Sequence, residues 1–138
     1  MASITLKGRE IPLLYTVYEM KTIQEEIGPL AEAMAAVTGR NPEDETDVSR
    51  FGGAEMLNAA AALIRILGNA GLEEAGEEAD LTNKKVLRAI KPANLMDAVN
   101  ACLDAMNEGM ASEIPDEKED GPVDVTLEKM KKKETADG

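Results

Sequence analysis

The sequence contains no histidine and no tryptophan, and it has one cysteine, two tyrosines and one phenylalanine in 138 residues. Histidine is the commonest general base and the commonest metal ligand, so its absence excludes most familiar hydrolase sites. A single cysteine can form neither an intrachain disulfide nor a zinc cluster, which fits a reducing compartment. Cys102 falls on the apolar side of a predicted helix, and no histidine is present to activate it. We therefore expect it in the core and not as a nucleophile.

Long apolar runs and positive charge are also scarce. The longest apolar stretch, residues 59–64, is far too short to cross a membrane, and the N-terminus shows no signal-peptide pattern. We expect a cytoplasmic protein that does not bind membranes. The net charge of −12 disfavours nucleic-acid binding, because a phosphate backbone repels it. We identify one basic run, at Lys129 and residues 131–133, and interpret it as part of a solvated tail.

The composition favours one small helical domain followed by a tail. Apolar residues make up 43% of the chain, and eight of them are methionines, so the core must be built mainly from aliphatic side chains. Residues 112–138 are polar, charged and interrupted by proline, which is typical of disorder. We predict a mainly α protein of four to five helices with an N-terminal β-hairpin over residues 1–111, and a disordered acidic tail over residues 112–138.

Local signals place the elements. Strands at residues 3–6 and 10–14 flank a turn at residues 7–9. Thr16 and Glu19 have the spacing of a capping box, which predicts a helix start. Further helices are predicted from Pro29 to about Thr38, from Ala54 to about Asn69, from Thr82 to Ile90, and from Pro92 to about Met110.

Several side chains receive a specific expectation from these patterns. Gly68 and Gly71 are interpreted as helix-end glycines that bracket the end of the third helix. In the fourth helix, the expected inward positions are Val86, Leu87 and Ile90. The methionines expected in the core are Met20, Met56 and Met96, whereas Met106 and Met110 suit a core or a binding surface equally.

Three acidic clusters are the candidates for carboxylate chemistry, at residues 43–47, 73–78 and 116–120. All fall in predicted linkers or in the tail, and none has the spacing of a calcium loop. None lies on a rigid element that would hold two carboxylates at a fixed separation. We interpret them as solvated charge, and we expect no catalytic residue, no cofactor and no metal.

The last helix carries the clearest amphipathic pattern in the chain. Apolar residues recur there at spacings of three and four, which places them on one face. If the protein binds a partner through a helix, we expect this face to make the contact, through Met96, Val99, Leu103, Met106 and Met110.

Three segments together carry a resemblance to a known family. They are ITLKGREIPL running into TVYEM within residues 4–20, IRILGNAGL at residues 64–72, and LTNKKVL leading to KPANL within residues 81–95. The combination resembles the tail assembly chaperones of long-tailed bacteriophages, the siphoviruses, and of prophages. The resemblance covers roughly residues 3 to 110.

The resemblance implies a function that composition alone does not. Such a protein coats the long helical tape measure protein and keeps it soluble until tail tube subunits assemble around it. It acts in the host cytoplasm and is absent from the mature virion. The resemblance also implies a longer form, made by ribosomal frameshifting, that contacts the tail tube protein. The codons of Lys131, Lys132 and Lys133 are the candidate site of that frameshift. Self-association is a further expectation.

Other functions remain open at this stage. The chain could instead be a head–tail connector component or an acidic regulatory adaptor, which would form a stable ring or bind a regulator. An enzyme that uses carboxylates and a divalent metal is the least favoured alternative, because no rigid acidic site is visible. The position of the gene relative to the tube and tape measure genes distinguishes a tail assembly chaperone from a connector component or adaptor.

Overall fold

The structure, a computed structural model, describes residues 2–41, 43–44 and 46–111. The prediction of a mainly helical protein with an N-terminal antiparallel hairpin is confirmed. The predicted tail, residues 112–138, lies outside the described residues. The elements are β1 (Ser3–Leu6), β2 (Arg9–Pro12), α1 (Val17–Glu26), α2 (Leu30–Thr38), α3 (Ala54–Glu74), α4 (Asn83–Ala89), a 3₁₀ turn (Pro92–Asn94) and α5 (Leu95–Met110).

The hairpin closes through a two-residue turn, so β2 begins one residue earlier than predicted. Lys7 and Gly8 have φ values of 51° and 80°, and positive values at both central positions are those of a type I′ turn. This turn pairs Leu6 with Arg9. The chain leaves the strand after Pro12, where the N–H of Leu14 donates to the carbonyl of Leu67 at 3.1 Å. The hairpin is thereby attached to α3.

Two of the predicted helix starts, at Thr16 and Thr82, are confirmed by their capping interactions. Glu19 accepts hydrogen bonds from the backbone N–H of Thr16, at 2.9 Å, and from its hydroxyl group. The hydroxyl of Thr82 accepts from the N–H of Lys85 at 3.1 Å. These contacts satisfy donors and acceptors at a helix end without help from the rest of the fold, which is why a local spacing predicts them.

The central helix α3 is longer than predicted, and the reason lies in its glycines. Gly68 and Gly71 lie inside the helix and do not end it. A Cβ on Gly71 would lie 1.9 Å from the carbonyl oxygen of Pro12, and one on Gly68 would lie 2.7 Å from Leu81 Cδ1. The interpretation of these residues as helix-end glycines was wrong: they let the hairpin and the segment before α4 pack closely against α3.

The segment between α3 and α4 is held in place by two sets of contacts. Asn69 of α3 accepts from the N–H of Leu81 at 3.0 Å and donates to its carbonyl at 3.2 Å. Arg9 of the hairpin donates to the carboxylate of Asp80 at 3.0 Å and to the carbonyl of Glu78 at 3.3 Å. This predicted linker is therefore attached to two other elements.

The core forms around α3, which packs against the other four helices and against β2. Aliphatic side chains and alanines fill it, and its largest fully buried members include Ile11, Ile23, Leu63 and Leu67. Among the described residues, no helix combines the length and the apolar character needed to cross a membrane.

Candidate functional site: an apolar groove beside the third and fourth helices

The five predicted partner-binding residues of α5 do not form one accessible surface. Val99 is 1% exposed and Met106 is 8% exposed, because this face of α5 packs into the core. Leu103 is partly buried against the same core. Met96 and Met110 are 39% and 65% exposed, so the prediction of partner contact remains physically available to these two. The expectation that Met96 lies in the core was wrong.

The same face of α5 buries the only cysteine. Cys102 is fully buried, and burial raises the pKa of its thiol to about 12. A thiol with so high a pKa is protonated at neutral pH, and the thiolate is the nucleophilic form. The interpretation of Cys102 as a core residue is confirmed by its burial.

A second apolar surface, which we call the groove, lies beside the third and fourth helices. It is a concavity of about 620 Å³ between the first half of α3, α4 and the start of α5. Apolar side chains from all three helices and from the loop before α3 line it, namely Phe51, Leu57, Ile64, Val86, Leu87, Ile90 and Leu95. Three alanines of α3, Ala54, Ala60 and Ala61, contribute to the same lining.

The groove follows from the small size of the elements that surround it. The side chains of Ala60 and Ala61 on α3 are single methyl groups, so the surface of α3 is recessed at the middle of the groove. Helix α4 has seven residues, and Ile90 ends it in an extended conformation. Pro92 follows and begins the short 3₁₀ turn that leads into α5. The α3 residues Ala61 and Ile64 are almost fully buried at the base of the groove, and Leu57 is partly exposed.

Leu87 is the residue that sequence reasoning placed wrongly here. It was expected to point inward with Val86, yet it is 40% exposed whereas Val86 is fully buried. Consecutive helix positions are about 100° apart, so both cannot face the same neighbour. Phe51, the only phenylalanine, is 46% exposed at the same groove and was missed. The sequence did contain a signal for this residue, because Phe51 is an isolated aromatic side chain in a polar segment.

Basic side chains lie on α4 and just after it, although the sequence had indicated one basic run near the C-terminus. Lys84 and Arg88 lie one turn apart on α4, and both are exposed. They line a separate concavity between α4 and the hairpin, whereas Lys91 lines the groove. Within the described part of the chain, these three form no ion pair or hydrogen bond through their side chains.

The first two acidic clusters, by contrast, are engaged locally or lie at a helix end, and the third, residues 116–120, lies outside the described residues. A side-chain hydrogen bond from Thr46, followed by one from its backbone, holds the pKa of Asp44 below its ordinary value. Backbone and side-chain hydrogen bonds from Ser49 do the same for the pKa of Asp47. Glu73 and Glu74 belong to the last turn of α3 and not to a linker. Over the described ranges, no group of three or more potential ligands could hold a metal ion.

Comparison of the chain with protein-family models, with curated proteins and with solved structures gives no match. The groove is therefore interpreted from its own geometry and chemistry.

Proposed function

We propose that this protein is a non-enzymatic chaperone that binds an amphipathic helix of another protein in the groove, and that its client is the tape measure protein of a bacteriophage tail. The observation that carries the proposal is the groove itself, an apolar concavity lined by three helices in a protein with net charge −12. The choice of client rests on the sequence resemblance.

The dimensions and chemistry of the groove suit a helical client. An α-helix with side chains is about 10 Å across and presents an apolar stripe to its partner. Recognition of such a helix uses a hydrophobic groove that accepts side chains at spacings of three and four residues. The partly exposed side chains Phe51 and Leu87 are placed to contact it. Burying them would add to the binding free energy.

The charge of the remaining surface supports the same role. A tape measure protein presents repeated amphipathic helices that associate with one another when uncovered. A bound protein with a strong negative net charge would keep such complexes apart through repulsion. The proposal places this activity in the host cytoplasm, before the virion is complete. Contact with the tail tube protein through a frameshift-extended form, and self-association, belong to the same proposal.

Co-expression with the tape measure protein tests the proposal. We expect the wild-type chain to move the tape measure protein into the soluble fraction. The variant Leu87→Glu places a charge in the groove and should abolish this effect. Val17→Glu is the matched control, since Val17 is 77% exposed on α1 and lies outside the groove. Equal aggregation of the tape measure protein with and without the wild-type chain would overturn the proposal.

A further inference from the structure

The concavity between α4 and the hairpin is basic, although the whole chain has a net charge of −12. Its volume is about 620 Å³. Among the described residues that line it, none is acidic and five are basic, namely Lys7, Arg9, Lys84, Lys85 and Arg88. We call it the basic concavity. A local excess of positive charge in so acidic a chain indicates a site for an anionic segment.

Three of these five cations are available to such a segment. The other two are engaged with Asp80, which lies in the segment before α4. Lys7, Lys84 and Arg88 are exposed, and they form no ion pair or side-chain hydrogen bond with another described residue. Lys7 belongs to the turn of the hairpin, and the other two belong to α4. The basic concavity therefore presents free positive charge from both of its walls.

From this arrangement we infer that the basic concavity binds residues 113–120 of the same chain. This segment, EIPDEKED, holds five carboxylates and one lysine, and it begins two residues after Ala111, the last described residue. The inference does not depend on the proposed function, because Lys7, Lys84 and Arg88 do not line the groove.

The position of the end of α5 brings this segment within reach. The backbone N–H of Ala2, next to β1, donates to the carboxylate of Glu108 in the last turn of α5 at 3.1 Å. The chain therefore leaves α5 beside the start of β1, and Lys7 follows the other end of that strand. Four strand residues rise about 13 Å, whereas residues 111–120 can span up to about 33 Å when extended. The segment can reach the basic concavity without displacing a described element.

The covalent link favours this segment over a free acidic protein. A linked segment within reach has an effective concentration of about a millimolar. A free acidic protein is repelled by the net charge of −12 before it meets the basic concavity. Because exposed ion pairs are individually weak, a contact built from them needs a high effective concentration to be populated.

Amide shifts of the ¹⁵N-labelled full-length chain test the inference. The first variant changes every carboxylate of the segment to its amide, with the substitutions E113Q, D116N, E117Q, E119Q and D120N. The control makes the same kind of change further along the chain, with D124N, E128Q, E134Q and D137N. We expect the first variant to shift the amides of Lys7, Lys84 and Arg88, and the control to leave them unchanged. Sodium chloride at about 0.5 M should move the wild-type shifts towards those of the first variant, because it screens the contact.

A fluorescent peptide of residues 111–122 measures the size of the effect by anisotropy. We expect it to bind the wild-type chain about fivefold more weakly than the first variant, which corresponds to occupation of the basic concavity by the chain's own segment for about four-fifths of the time. Adding K84E and R88E to the first variant should abolish binding of the peptide. Adding K21E instead should not, because Lys21 is on α1 and pairs with Glu25.

Four results would overturn the inference. The first is unchanged amide shifts at Lys7, Lys84 and Arg88 in the first variant. The second is equal shifts in the first variant and the control, which would show a general effect of charge. The third is equal affinity of the peptide for the wild-type chain and the first variant. The fourth is shift differences that grow with protein concentration, because the segment of a second copy would then occupy the basic concavity.

Discussion

The two halves of α3 differ in sequence and in surroundings. In the second half, Gly68 and Gly71 contact the hairpin and the segment before α4, and Asn69 satisfies the backbone of Leu81. The first half holds five of the six alanines of the helix. There Leu57, which is partly exposed, and its buried alanine neighbours line the groove. One half meets the chain's own backbone at its glycines, and the other lies beneath a concavity.

This difference indicates which part of α3 maintains the fold and which is available for binding. A close backbone contact in the second half tolerates no added atom, so substitutions there should reduce stability. The groove has no such contact, so exposed residues there should tolerate substitution and affect only partner binding. The predictions below test that division, beginning with the largest effect.

The largest effect is expected from Gly71→Ala. The new methyl group would collide with the backbone of Pro12, which cannot move without displacing β2. We expect a loss of about 3 kcal/mol in the free energy of unfolding, or failure to fold, because overpacking against backbone exceeds the helix-propensity gain. Urea denaturation measures it. Gly68→Ala is the matched comparison, since its methyl would meet the movable end of Leu81; equal losses for both variants would contradict the account.

A smaller loss is expected from Asn69→Ala. Removing the side chain leaves the N–H and carbonyl of Leu81 without their partners, which should cost about 2 kcal/mol. Asn58→Ala is the control in the first half of α3, because Asn58 is exposed and lines the groove. Its side chain makes no hydrogen bond to another described residue. Chemical denaturation of both variants should separate them, and a large loss for Asn58→Ala would show that the first half also maintains the fold.

Leu87→Gln should separate binding from stability. Leu87 is 40% exposed, so we expect the free energy of unfolding to change by less than about 0.5 kcal/mol. Affinity for a helical client should fall about tenfold, or about 1.4 kcal/mol. Calorimetric titration and thermal unfolding on the same samples provide both values. If the free energy of unfolding falls by as much as the binding free energy, Leu87 affects binding by stabilising the fold and not by contacting the client.

The smallest effect concerns the ion pair between the hairpin and the segment before α4. A hydrogen bond from Arg9 holds the pKa of Asp80 below its ordinary value of 3.8. A carboxyl group with a lowered pKa in the folded state adds stability above its unfolded pKa, and this stability is lost as the pH falls through the lowered value. In the Asp80→Asn variant, the free energy of unfolding should therefore change less with pH in the acid range than it does in the wild-type chain.

Asp104→Asn is the control for this prediction, because Asp104 is exposed and has no ion pair or hydrogen-bond partner among the described residues. Unfolding is followed by circular dichroism over a pH series. Identical curves for Asp80→Asn and the wild-type chain would show that the ion pair makes no contribution.

Features determined by neighbouring residues could be predicted from the sequence, and features determined by distant ones could not. The caps at Thr16 and Thr82 depend on residues three positions away, so spacing was sufficient. Gly71 needs the Pro12 backbone to explain it, and that contact spans much of the chain. The exposure of Leu87 depends on which side of α4 meets α3. The groove therefore required tertiary structure, although Phe51 was a visible signal.

The most direct test of the central claim is a nuclear magnetic resonance titration of the ¹⁵N-labelled full-length chain with a stapled amphipathic helical peptide that carries one stripe of leucine and alanine. We predict amide shift changes concentrated at Leu57, Leu87 and Leu95, around the groove. Changes centred instead on the exposed α1 residues Val17 and Tyr18, or no changes at saturating peptide, would contradict the assignment of the groove as the binding site.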